Sequence, residues 1–316
     1  MDQLLVKSNL DGVKNERHVF VSGLARAGTT VLMRSLHETG MYRSLTYRDM
    51  PFVLAPNLWS RVMPTKTRFK SASERAHGDG VYVDFDSPEA LEEVFWRVFC
   101  GDSYILADRL VPIRVTKETK TAFVRYVANI LASDKRTRYL SKNNNNILRL
   151  QALADCFPRA ALLVPFRNPL QHAISLLRQH LLFTKKHAKD PFSLDYMRWL
   201  VHHEFGMDHR PFKFKEETKP AELAIETLTV DYWLKLWRDT YQYLIAQANA
   251  SCVFVSYERI CEDTANVWPA LCEHLELSSG DIPDLSLRES QNEIDCSAQL
   301  LSDCTELYQI LSEKAL

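Results

Sequence analysis

Long hydrophobic runs are missing from this sequence. The longest uninterrupted apolar run extends from Ala160 to Phe166, which is far too short to cross a membrane. Residues 1–17 are too polar to contain the apolar core of a secretory signal. We therefore expect a cytoplasmic protein without a transmembrane segment.

An excess of charge of one sign and paired cysteine motifs are missing as well. The 316 residues carry a formal net charge of −1, so no overall field favours nucleic acid or a membrane surface as a partner. None of the seven cysteines belongs to a C-x-x-C pair, which argues against a structural zinc site. Their odd number and apolar surroundings indicate buried free thiols in a reducing compartment.

Short apolar strand patterns alternate with helical patterns along the chain. Strands are predicted at Val19–Val21, Arg138–Ser141, Ala160–Phe166 and Cys252–Val255. Six helices are also predicted. The first follows the turn after the first strand and runs to Thr39, the second runs from Ser87-Pro88 to Phe99, and the fifth begins at an Asn168-Pro169 cap. The others span Thr116–Ala132, Ile147–Phe157 and Ala221–Ala248. This alternation predicts a single domain over residues 1–316, with an α/β fold of the P-loop type in which helices flank a parallel sheet.

The first strand, turn and helix, residues 18–39, have the pattern of a phosphate-binding loop. Two glycines bracket four residues and two threonines follow, at Gly23, Gly28, Thr29 and Thr30. The usual pattern is G-x-x-x-x-G-K-[ST], in which the lysine reaches the β- and γ-phosphates. Here Thr29 replaces the lysine, and a cation stands at Arg26 instead. Loop N–H groups and the helix N-terminus still favour a phosphate, so we predict a 5′-phosphate site unlike that of an ATPase or GTPase.

Two further strands are followed by cationic residues. Lys142 ends the second predicted strand, and Arg167 follows the third, with Ser175 eight residues later on the next helix. Ligand-binding groups gather at the carboxyl ends of parallel strands. We therefore expect Arg26, Lys142 and Arg167 at one edge of the sheet, with Arg167 and Ser175 on either side of a second anion.

Together these segments resemble the sulfotransferases that use 3′-phosphoadenosine 5′-phosphosulfate. The similarity is carried by GLARAGTT, by Lys142, by FRNPLQHAIS and more loosely by VSYERICED. The order of the segments from residue 139 to residue 177 is most similar to tyrosylprotein and related bacterial sulfotransferases. Ala25 and Ala27 stand where the family usually has proline and serine or glycine, and both changes leave the loop open.

The resemblance implies transfer of a sulfuryl group from the phosphosulfate nucleotide to an acceptor hydroxyl, without a metal. Arg26 and Lys142 would offset charge at the leaving phosphate, because such transfers depend on positioning and charge neutralisation. The residues implied to bind the nucleotide are Gly23, Ala25, Arg26, Ala27, Gly28, Thr29, Thr30, Arg167, Ser175 and Tyr257.

A general base must also take the proton of the acceptor hydroxyl. Asp49 is the first candidate, since related enzymes place a catalytic carboxylate at about this distance after the phosphate loop. His77, with neighbouring Asp79, is the alternative.

Residues 183–228 are rich in lysine, histidine and aromatic side chains and are predicted to form a helical and loop region that binds the acceptor. Its cations suit an anionic or polyhydroxyl acceptor. A sugar, a small metabolite, a lipid and a peptide all remain open.

Two other functions remain open at this point. A P-loop nucleotide kinase would bind ATP with Mg²⁺, but Thr29 in place of lysine and the Arg167–Ser175 pair argue against it. A catalytically silent nucleotide-binding scaffold would bind without turnover, and the cations at Arg26 and Lys142 argue against that.

Overall fold

A five-stranded parallel sheet forms the centre of the protein. The computed structural model describes residues 10–62, 73–74, 82–83, 87–88, 90–132, 134–215, 227–278, 281–287 and 295–316. The strands in chain order are β1 Val19–Val21, β2 Tyr42–Arg43, β3 Ser73–Glu74, β4 Tyr82–Val83, β5 Arg138–Lys142, β6 Ala161–Phe166 and β7 Cys252–Ser256. The sheet has the order β2-β5-β1-β6-β7, and β3 pairs with β4 in a separate antiparallel ribbon.

Helices cover both faces of the sheet. In chain order they are α1 Leu10–Lys14, α2 Thr29–Glu38, α3 Pro56–Val62, α4 Glu93–Tyr104, α5 Lys117–Ala132, α6 Leu150–Cys156, α7 Pro169–Lys189, α8 Pro191–Trp199, α9 Val230–Gln247, α10 Tyr257–Glu262, α11 Thr264–His274 and α12 Ala298–Lys314. Short 3₁₀ helices span Tyr47–Asp49 and Asn144–Arg149. The expected α/β fold with a parallel sheet is confirmed. None of the described helices is both long enough and apolar enough to span a membrane.

Alternation along the strands divides the core into two layers. Phe20 of β1 packs in the larger cluster, with α4, α5, α7, α9 and α12, whereas Val19 and Val21 pack in the smaller one, with α2 and α11. Successive side chains of a strand point to opposite faces, so a strand covered on both sides must be apolar at every position. This explains the continuous apolar run of β6, whose six residues are all buried.

Several helix boundaries differ from the sequence prediction. The helix expected from Ser87-Pro88 begins instead at Glu93, because Pro88 pairs with Thr46 in an isolated bridge and the Ser87 hydroxyl accepts from Arg34. Helix α7 begins at the predicted Asn168 cap but continues to Lys189, into the region expected to bind the acceptor. Helix α9 begins at Val230 and not at residue 221. Residues 216–226 lie outside the described part of the chain.

His18 links the start of β1 to two other segments. Its Nε2 lies 2.7 Å from the Val13 carbonyl oxygen, and its Nδ1 accepts a 2.9 Å hydrogen bond from the N–H of Tyr139. Nδ1 is therefore unprotonated in the folded protein. Burial, reinforced by the charge of Arg138 and opposed by the Val13 hydrogen bond, lowers the pKa of His18 from 6.5 to about 4.

We expect His18 to make stability depend on pH. As the pH falls, the unfolded chain binds the proton first, so the contribution is complete above pH 6.5 and is lost between pH 6.5 and 4. The loss amounts to about 3 kcal/mol. Urea unfolding of the wild type and of His18→Gln at a series of pH values tests this. Glutamine can donate and accept hydrogen bonds like those of His18 but does not titrate. The other titrating groups are the same in both proteins, so their effects on the free energy of unfolding cancel in the comparison. Identical pH slopes in the two proteins would contradict it.

Candidate active site

A cavity of about 830 Å³ opens at the carboxyl ends of β1, β5 and β6. Its floor is the loop between β1 and α2 together with the end of β5, and one wall is helix α7. Helix α8, several residues of the following segment 200–205, Tyr257, residues 284–286 and Tyr47 also line the cavity. Parallel sheets bind ligands at this edge, at the point where the chain leaves two neighbouring strands in opposite directions. Here the two strands are β1, whose connection leads to β2, and β5, whose connection leads to β6 on the other side.

The loop between β1 and α2 holds a conformation suited to an anion. Arg26 and Gly28 both have positive φ angles, of 73° and 85°. When residues with positive φ angles alternate with residues in the right-handed helical conformation, successive backbone N–H groups turn toward one side. They then form an anion-binding concavity. His172 Nε2 lies 2.8 Å from the carbonyl oxygen of Ala25 and ties the loop to α7. Burial and the charges of Arg167 and Arg26 lower the pKa of His172 to about 3, so at neutral pH it is an uncharged donor.

Cationic side chains from three strand ends line the same cavity. Arg26 Nε donates to Ser175 Oγ at 3.3 Å, which brings the phosphate loop next to α7. Lys142, the last residue of β5, is paired in register with Val21 and is only 9% exposed. Arg167 follows β6, and its guanidinium lies 4.9 Å from the centre of the Tyr257 ring. The predicted meeting of Arg26, Lys142 and Arg167 at one edge agrees with this arrangement.

Most of the residues predicted for the nucleotide site line the cavity. They are Ala25, Arg26, Gly28, Thr29, Thr30, Arg167, Ser175 and Tyr257, and Lys142, predicted as a catalytic cation, lines the cavity as well. Gly23 and Ala27 do not line the cavity, and they affect the loop through its packing against the rest of the protein. Ala27 is fully buried, and a Cβ on Gly23 would lie 3.0 Å from the Pro165 carbonyl oxygen.

Asp49, the first candidate for the general base, is not among the residues that line the cavity. One of its carboxylate oxygens lies 2.7 Å from Arg43 Nη2, and the other accepts a 2.8 Å bond from the N–H of Thr46. It caps a 3₁₀ turn and is 6% exposed, while Tyr47 of the same turn lines the cavity. The alternative candidates, His77 and Asp79, lie outside the described residues.

A histidine and a carboxylate that the sequence did not single out lie in the cavity instead. His202 Nδ1 lies 3.5 Å from Glu204 Oε2, and Asn144 Nδ2 donates to Glu204 Oε1 at 2.7 Å. Burial alone would raise the pKa of Glu204, but His202 and Lys142 outweigh it and hold the pKa well below its usual range. Glu204 is therefore a fixed negative charge that orients its neighbours.

Comparison with known proteins identifies the family. The sulfotransferase family model matches residues 18–281. The chain belongs to the sulfotransferase family. It is therefore a transferase enzyme, and the resemblance noted in the sequence is confirmed.

Solved structures similar to this sulfotransferase come from several bacteria. One from Alicyclobacillus acidocaldarius is 15% identical, with 95% of this chain and 97% of that chain covered and a TM-score of 0.43. One from Mycobacterium avium is 16% identical, with 100% and 74% covered and a TM-score of 0.43. One from Mycobacterium tuberculosis is 13% identical, with 96% and 78% covered and a TM-score of 0.45. No curated protein matches the sequence.

Part of the sulfotransferase site was not predicted from the sequence, because it depends on contacts between residues that are far apart in the chain. The segment after α8 is held by buried histidines of α7: the N–H groups of Gly206 and Met207 donate to His180 and His187 at 3.3 Å. The sequence signal for Glu204 is the HHEFGMDH stretch, which lies within the region 183–228 predicted to bind the acceptor. The second signal was the asparagine run, since Asn144 contacts Glu204 across 60 residues.

A Gly28→Ala variant of the sulfotransferase is expected to lose nucleotide binding by tenfold or more, because the phosphate loop must move to admit the methyl group. Gly28 has φ 85°, and a Cβ there would lie 2.6 Å from Tyr257 Cδ2. The matched control is Gly40→Ala, which shares a positive φ of 72° but has no atom within 4 Å of the added Cβ. Backbone strain of about 1–2 kcal/mol applies to both, so only Gly28→Ala should lose affinity in calorimetry. Equal affinities in the two variants would refute the steric argument.

Proposed function

We propose that this sulfotransferase transfers a sulfuryl group from 3′-phosphoadenosine 5′-phosphosulfate to an acceptor hydroxyl. The observation that carries the proposal is the gathering of Arg26, Lys142, Arg167 and Ser175 around one cavity in a chain of this family. The family generally uses this donor, and the cavity volume of about 830 Å³ leaves room for an acceptor beside it.

The donor fits the cationic half of the cavity. The loop at residues 25–30 offers backbone N–H groups and the hydroxyls of Thr29 and Thr30 to a 5′-phosphate. Arg167 and Ser175 line the same cavity, and Ser175 contacts Arg26; a second phosphate, that of the 3′ position, would be held by this pair. A nucleotide with phosphates on both ribose positions has the charge pattern that these two groups favour.

In the transfer, the acceptor oxygen forms a bond to sulfur while the bond from sulfur to the 5′-phosphate oxygen breaks. Arg26 and Lys142 offset the negative charge that develops on the leaving phosphate. His202 accepts the proton of the acceptor hydroxyl, and Glu204 orients His202 in the way that a carboxylate orients the histidine of a catalytic triad. Both Glu204 oxygens are engaged, by His202 and Asn144, which supports His202 as the base.

Titration calorimetry with 3′,5′-adenosine bisphosphate tests the donor assignment. We expect metal-independent binding that Arg167→Ala weakens by at least about tenfold, through loss of a charge-assisted contact. Arg159→Ala is the control, because Arg159 is largely exposed at the opposite end of β6, where it pairs with Glu276. Binding of ATP only, and only with Mg²⁺, would replace the proposal with a kinase. Binding of both bisphosphate and phosphosulfate without release of product would favour a silent scaffold.

A further inference from the structure

Helix α7 extends one wall of the cavity well beyond the nucleotide half. Ser175, Arg178, Leu182 and Lys186 follow one another along the same face, at spacings of three and four residues. Ser175 contacts Arg26, so this end of the row lies at the phosphate loop. Lys186 is eleven residues further on, about 16 Å along the helix axis. The cavity therefore has an inner end at the reacting groups and an outer end near the last turn of α7.

The walls between these two ends are mostly apolar, although Gln179 and Ser193 also line them. Leu182 and Phe183 of α7 face Phe192, Tyr196 and Met197 of α8 and Leu200 beyond it. Leu182 and Phe192 are 43% and 65% exposed although they line a binding cavity. Apolar side chains left open at the mouth of a pocket mark a surface that a ligand covers. A polyhydroxyl acceptor would leave its own hydroxyl groups unpaired against these walls.

Two cations lie along this apolar half. Arg178 and Lys186 stand four residues before and after Leu182, about 12 Å apart along the axis. Within the described part of the chain neither forms an ion pair; the Lys186 ammonium lies 5.8 Å from the Phe183 ring centre. Asp190, one turn beyond Lys186, also lines the mouth but is not within ion-pairing distance of it. The outer end therefore favours a negative group.

We infer that the acceptor is an amphiphilic alcohol with its hydroxyl at the inner end, an apolar body against α7 and α8, and an anionic group near Lys186. This inference rests on the proposed function, because the inner end is defined by the reacting groups Lys142, His202 and Arg26. It names the class of acceptor that the sequence left open among sugars, metabolites, lipids and peptides.

The test uses probes that differ in one group. With 3′,5′-adenosine bisphosphate at saturation, calorimetry measures binding of 10-hydroxydecanoate, 10-amino-1-decanol and glucose. We expect the hydroxy acid to bind about tenfold more tightly than the amino alcohol, and glucose to show no binding. Equal binding of the acid and the amine, or preferred binding of glucose, would overturn the inference.

Neighbouring residues supply matched controls. Lys186→Met should remove most of the preference for the acid, whereas Lys185→Met should keep it, because Lys185 is exposed and does not line the cavity. Leu182→Asn should weaken both ten-carbon probes about fivefold, and Leu181→Asn, with a similar exposure of 38% outside the cavity, should not. Equal effects within either pair would also overturn the inference.

The two proposals fail in different ways. Binding of the bisphosphate without binding of the ten-carbon probes overturns the acceptor class and leaves the donor assignment intact. If the bisphosphate itself does not bind, the proposed function falls and the acceptor class falls with it.

Discussion

Lys142→Met is expected to lower kcat by about 10²- to 10³-fold, the loss typical when one preorganised charge or donor is removed from a site of developing negative charge. Lys142 ends β5 beside the phosphate loop and is 9% exposed, so water screens its charge weakly. Methionine keeps the length and apolar stem of the side chain without the ammonium group. The rate is measured as release of the bisphosphate from the phosphosulfate donor, with the best probe alcohol as acceptor.

Two comparisons separate loss of catalysis from loss of folding or donor binding. Lys135→Met removes an exposed lysine from the turn before β5 and should leave the rate unchanged. The affinity of Lys142→Met for the bisphosphate should change less than its kcat, because the charge that Lys142 offsets grows during transfer. A rate close to that of the wild type would remove Lys142 from the mechanism, and Arg26 would then stand as the sole proposed cation at the leaving group.

Features encoded by neighbouring residues were predictable from the sequence. The phosphate loop needs only a buried strand, two glycines and the start of a helix, all within residues 19–38. The Asn168-Pro169 pair caps α7 by a local hydrogen bond to Gln171, and Arg167 directly precedes that cap. Because β6 ends at Phe166, the chain itself delivers Arg167 to the edge of the sheet.

Features that depend on tertiary contacts were not predictable in the same way. His202 and Glu204 reach the cavity only because the segment after α8 packs on α7. Asp49 illustrates the opposite case, because its structural role has a local signal in the sequence. Thr46 and Asp49 have the spacing of a capping box, which indicates a structural carboxylate at the start of a turn. The helix start at Glu93 in place of Ser87 likewise follows from distant contacts, of Pro88 with Thr46 and of Ser87 with Arg34. Glu93 itself has partners far along the chain, Asn143 and Arg149, and a nearer one, Tyr104.

Those partners form a buried polar network beneath the active site. Arg149 Nη2 donates to both carboxylate oxygens of Glu93 at 2.8 Å, and its guanidinium lies 4.7 Å from the Trp96 ring centre. Tyr104 donates its hydroxyl to the same carboxylate, and Asn143 Nδ2 does so at 2.5 Å. The ion pair is 0% and 2% exposed at its two side chains. Asn143 directly follows Lys142, so the network also supports the end of β5.

Arg149→Met is expected to lower the free energy of unfolding by about 3–5 kcal/mol, because it leaves the Glu93 carboxylate buried without its counter-charge. Urea unfolding measures the loss. Lys120→Met, which breaks the exposed Lys120–Asp155 pair at 2.9 Å, should cost less than about 1 kcal/mol. The double variant Arg149→Met with Glu93→Leu should recover part of the loss, since removing both charges avoids an unpaired one. If Arg149→Met costs no more than Lys120→Met, the ion pair is not what stabilises this part of the core, and Asn143 must be held by its other neighbours.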